Sequence, residues 1–142
     1  MASAGGQPML GFDLMTAHAH SGATGIVKDR MDRFKESQQA LKAIAKAIKT
    51  EDYDAILAPA ETIAQWGDEM AAYFPEGSNP SPSEALDVIW QEMDQFSALA
   101  SANAKAARRL QQLVREGDHA RIKPAFNEVV GSCKSCHQKF RQ

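Results

Sequence analysis

The chain has 142 residues, enough for one domain with a closed hydrophobic core. Hydrophobic residues make up 44% and charged residues 24%, with a formal net charge of -2 at pH 7, so electrostatics gives no reason for a nucleic-acid or anionic-membrane partner. No run comes near the roughly 18 apolar residues of a membrane span, and two cysteines at close spacing make no disulfide framework.

Residues 1–22 show no helical periodicity and read as an N-terminal arm or the remnant of a leader. Ala17-His18-Ala19 has the small-x-small form of a leader cleavage site, yet "MASAGGQPMLGFDLMT" before it has no apolar core. The remainder, 23–142, reads as one helical domain. From Gly25 to about Thr50, Val27, Phe34, Leu41 and Ile48 fall seven apart with Ile44 between the last two, which makes one apolar seam. Thr50 is placed to cap a second helix over about Glu51 to Ala72, with Ile56, Ala60, Ile63 and Met70 on one side. Pro59 is expected to kink or divide it. "FPEGSNPSPS" then marks the one substantial loop.

A third helix, entered between Glu84 and Gln91, carries Ile89, Met93, Phe96, Ala100, Asn103, Ala107, Leu110 and Val114 in alternating four-and-three spacing. Asn103, the polar member of that seam, marks a rim position or fixes register. Gly117-Asp118 breaks the chain, and a fourth helix continues the pattern through Ile122, Phe126, Val129, Cys133, Cys136 and Phe140. Four amphipathic helices with short links predict an all-α, antiparallel four-helix bundle.

Both cysteines lie on the inward seam of the last helix, in "GSCKSCHQKF", and His137 falls beside them on nearly the same face. Four uses of such a cluster compete. The thiols are small core residues beside a surface histidine; or they form a redox dithiol, although no thioredoxin-like βαβ setting is visible. They bind zinc with His18 or His20 of the arm; or they attach haem covalently. Cys-x-x-Cys-His is the haem attachment signature, because two thiols add to the two porphyrin vinyl groups and the adjacent histidine reaches the iron as proximal ligand. Only this last use accounts for the order of the residues.

The sequence resembles the class II cytochromes c, the group of cytochrome c prime and its low-spin relatives. The resemblance rests on "CKSCHQKFR" near the C-terminus, "AFNEVVGSC" leading into it, "FPEGS" in the loop, "IW" opening the third helix and "VKDRMDRFK" in the first, over roughly residues 22–142. It implies a four-helix bundle carrying one covalent haem c through Cys133 and Cys136, near the C-terminus, with His137 on the iron.

The family places its sixth coordination position on the first helix, four residues after an arginine. Here the arginine matches Arg30 and the position is Phe34, which has no lone pair to offer, so the resemblance implies five-coordinate iron under a hydrophobic cap. Met31, one turn away, is the competing ligand or else a flexible core filler; His18 and His20 are remoter candidates, since an arm gives up entropy to bind. The family's arginine contacts a haem propionate, which gives Arg30 a carboxylate partner. Ser78 is a candidate propionate donor or a plain turn serine. Arg141 flanks the proximal pocket or is simply solvated, and Trp90 is read as core. The implied role is electron transfer with redox partner proteins in the periplasm. Binding of nitric oxide or carbon monoxide is the alternative; enzymatic turnover is not expected. A homodimer through the first two helices is a recurrent family assembly that the sequence does not decide.

Overall fold

The computed structural model describes residues 22–142; the expected arm, with His18 and His20, lies outside the described residues but for Gly22. Its helices are α1 (Gly25–Lys49), α2 (Leu57–Glu69), α3 (Val88–Gln91), α4 (Met93–Arg115) and α5 (His119–Phe140), with single 3-10 turns at Tyr53–Ile56 and Met70–Tyr73 on either side of α2. Among the described residues no helix is long and apolar enough to cross a membrane.

Two buried clusters fix the topology. One joins Ala40, Ile44 and Ala47 late in α1 to Ile56, Ala60 and Ile63 around the start of α2, Leu110 and Val114 late in α4, and Ile122 and Val129 early in α5. The other joins Phe34 of α1 to Trp66 and Met70 late in α2, Phe96 and Ala100 early in α4, and Cys136 and Phe140 late in α5. Helix ends therefore alternate along the bundle, which is the antiparallel arrangement the periodicity predicts. The seam of α4 holds from Phe96 to Val114, while Leu41 and Ile48 of α1 are only partly buried and Ala40, Ile44 and Ala47 carry the interior.

The second helix differs from its expected form. Thr50 caps the C-terminus of α1 instead of starting α2, its hydroxyl donating to the Lys46 carbonyl at 3.1 Å. The chain then reverses through Glu51, at φ 56, with the Glu51 N–H bonded to Ile48 O and the Asp52 N–H to Ala47 O. Pro59 falls in the first turn of α2, where no intrahelical N–H bond is needed, so it neither kinks nor divides the helix. The third helix is interrupted at Glu92 (φ -129), beside α3. There Trp90 is tied to the loop through its Nε1–H, which donates to Phe74 O at 2.9 Å; Trp90 is half-buried and packs against the second buried cluster, as its reading as a core residue expects.

The same reversal ends α4, where Gly117 stands at φ 69 with its N–H on Val114 O and the Asp118 N–H on Leu113 O. One motif thus appears once with glycine and once with glutamate at the left-handed position. Glu51→Gly should raise stability by about 1 kcal/mol and Gly117→Ala should lower it by a similar amount, both read from urea unfolding midpoints. A larger effect is expected where α2 crosses α4. A Cβ on Gly67 would lie 2.8 Å from the Ala100 carbonyl oxygen and 2.8 Å from Ala104 Cβ. Both belong to a backbone or its first carbon and cannot rotate away, so Gly67→Ala should cost about 1–3 kcal/mol in the same assay.

Candidate haem-binding site

The second buried cluster is the setting of the site. Phe34, Trp66, Phe74, Phe96 and Phe140 make edge-on contacts: Phe34–Trp66 centroids are 5.1 Å apart, Phe74–Phe96 4.7 Å and Phe96–Phe140 5.3 Å. The last turns of α5 carry both cysteines, each unpaired and half-buried, and Cys136 packs against this wall. The His137 imidazole is more exposed, and the Phe34 ring meets it edge-on, with centroids 6.2 Å apart and planes at 63°. Met31 is half-buried and is not among the side chains packed into this cluster, whereas Met70 and Met93 are.

Burial pushes the Cys136 thiol up to about 11, with the neighbouring Cys133 adding to it, and burial likewise raises Cys133. A dithiol redox site needs the opposite, a stabilised thiolate. Asn103, buried on α4, donates from Nδ2 to Ser132 Oγ at 2.8 Å and to Cys133 Sγ at 3.3 Å. The polar member of the α4 seam therefore fixes the approach of α5 at the first cysteine. Its place in an otherwise apolar seam was the signal for it; its contact with Cys133 was not legible. Burial lowers the pKa of His137, and Arg141 lowers it further against an opposing effect of Glu84, which favours the neutral, metal-binding imidazole. Among the described residues no group of three or more histidine, cysteine, aspartate and glutamate side chains is arranged to hold a metal ion, and the zinc alternative needs histidines outside them.

Arg30 is only 2% exposed. Instead of snorkelling, it lies over the Phe74 ring at 4.3 Å and donates to Tyr73 O at 3.2 Å, Ser78 Oγ at 2.6 Å, Ser78 O and Ser83 Oγ at 2.9 Å. Ser78 thus receives hydrogen bonds from Arg30. Ser83, unnoticed in the sequence, is a second serine partner of Arg30. Burial lowers the Arg30 pKa. Arg141 is exposed and pairs with Glu84, while the Arg141 and Gln142 backbone is held against the loop, with the Leu86 N–H on Phe140 O and the Gln142 N–H on Glu84 O.

These residues fit a haem. A porphyrin is a wide apolar disc with two carboxylates, and here an aromatic wall adjoins two thiols and an imidazole on one side of α5. A buried cation whose hydrogen-bond acceptors are all neutral stands close by, where a carboxylate would offset its desolvation.

The comparisons with known proteins agree with this fit. The family model for cytochrome c′ matches residues 25–141. The chain is 35% identical over 119 residues to a cytochrome c′ of Pararhodospirillum photometricum, covering 82% of this chain and 95% of that one. It is 33% identical over 121 residues to a cytochrome c-556 of Agrobacterium tumefaciens, covering 82% and 97%. The solved structure of cytochrome c′ from Rhodopseudomonas palustris superposes with a TM-score of 0.75 at 31% identity, covering 84% of this chain and 98% of the other. The chain belongs to the cytochrome c′ family, whose cofactor is covalent haem c, and it carries that cofactor's attachment motif at Cys133 and Cys136.

Proposed function

We propose that the chain is a periplasmic electron-transfer protein, not an enzyme, with His137 as the proximal iron ligand and Phe34 over the opposite face, so that the iron is five-coordinate. The single observation that supports this is the pairing of the Phe34 ring on α1 with the His137 imidazole on α5, centroids 6.2 Å apart. Haem supplies one electron at a time by cycling between ferric and ferrous iron. The chain's residues would hold the group: Cys133 and Cys136 would tether it, His137 would offer a neutral nitrogen, and the aromatic wall would supply apolar contact. The rings that meet Phe34 are those of Trp66, Phe74 and His137.

His137→Ala tests the proximal assignment. Haem should remain tethered through the cysteines but lose its axial imidazole, changing the ferric absorption spectrum and lowering the thermal unfolding temperature. An unchanged spectrum would remove His137 from the iron. A second reading, reversible binding of nitric oxide or carbon monoxide, is favoured by the same Phe34, because a phenyl cap occupies space without coordinating. Redox partner proteins belong to the first reading and diatomic gases to the second; a homodimer through α1 and α2 is compatible with either.

A further inference from the structure

The position of Ser83 carries an inference that rests on the reading of the chain as a haem protein. Its hydroxyl oxygen accepts two hydrogen bonds, one from Arg30 Nη2 at 2.9 Å and one from the Ala85 N–H at 3.2 Å. A serine oxygen has two lone pairs. With both engaged, the hydroxyl hydrogen has one remaining use, which is to donate outward. The donor is polarised as well, since one of the bonds into it comes from a guanidinium.

The surroundings hold this hydroxyl in place. Arg30 reaches it from α1, and Ala85 is bridged to Arg141, at the end of the helix that carries the attachment motif. Ala85 and Cys136 pack against the same aromatic cluster, so Ser83 stands at the rim of the site. Arg30 itself has four hydrogen bonds to Tyr73, Ser78 and Ser83, none of them to a carboxylate. Only its Nε–H is left over. A buried positive charge with most of its donors committed to the loop acts on an anion chiefly through the hydroxyls it polarises.

We propose that Ser83 is a carboxylate-binding residue whose hydroxyl, polarised by Arg30, donates to a propionate of the haem. Arg30 supplies the charge and Ser83 the directed hydrogen. The haem bends at its propionates with a frequency that rises with hydrogen bonding to the carboxylate, and resonance Raman scattering of the ferrous protein reads that band. In Ser83→Ala the band should shift to lower frequency, and in Ser83→Thr, which keeps the hydroxyl, it should return toward the wild-type position. Where the alanine variant does not fold, Ser83→Cys is nearly isosteric with a much weaker donor, and should shift the band in the same direction. A merely structural serine would lower the unfolding temperature and leave the band in place, which would overturn the proposal. Haem staining of the same samples separates the two levels: without covalent haem in the wild type the functional reading fails, whereas haem present with an unmoved band overturns Ser83 alone.

Discussion

The Cys133→Ala, Cys136→Ala double variant should lose its haem on denaturing electrophoresis, with haem staining falling to background while the wild type keeps a stained band. Both thioether bonds arise from these side chains, and the sequence contains no other cysteine. The thiols are half-buried, Cys136 against the aromatic cluster, and unpaired with each other, so neither is held in a competing disulfide. Each single variant should retain one thioether and stain, because the remaining thiol still has a vinyl group to meet. A stained band in the double variant would mean attachment elsewhere and would end the assignment.

Phe34→Met should convert the iron from high-spin toward low-spin. The substituted side chain stands opposite His137, so a thioether there has both the position and the lone pair that phenyl lacks. Volume changes modestly and the side chain stays apolar, so the cost to folding should be about 1.5 kcal/mol or less. A bound thioether must leave before a gas can enter. If the open form falls to a tenth of the population, apparent carbon monoxide affinity falls about tenfold. Met31→Leu, by contrast, should leave the spectrum unaltered, since Met31 lies outside the cluster that Phe34 joins. A wild type that is low-spin and turns high-spin in Met31→Leu would make Met31 the sixth ligand and close the site to gases.

The bundle was legible because its seams are long and strictly spaced: Phe96 to Val114 in α4 and Ile122 to Phe140 in α5 are read directly from apolar periodicity. The cysteine–histidine motif was legible because its chemistry demands a fixed order. Local backbone geometry was not. Threonine is a good N-cap, yet Thr50 closes α1, because the turn at Glu51 adopts a left-handed conformation that glycine would have announced and glutamate conceals. Pro59 signalled a break only as long as the start of α2 was placed six residues too early. The loop partners of Arg30 were hidden for another reason. Ser78 and Ser83 lie 48 and 53 residues from it, and no periodicity couples a helix to a loop at that separation. The contact of Asn103 with Cys133 is equally non-local, although its polar character in an apolar seam was visible from the start.

The central claim is that the iron has His137 on one side and a non-coordinating Phe34 on the other. The optical spectrum of the ferrous wild type, recorded before and after carbon monoxide is added, tests it most directly. A high-spin ferrous spectrum that converts to a carbon monoxide complex is the predicted result; a low-spin ferrous spectrum that carbon monoxide leaves unchanged would contradict it.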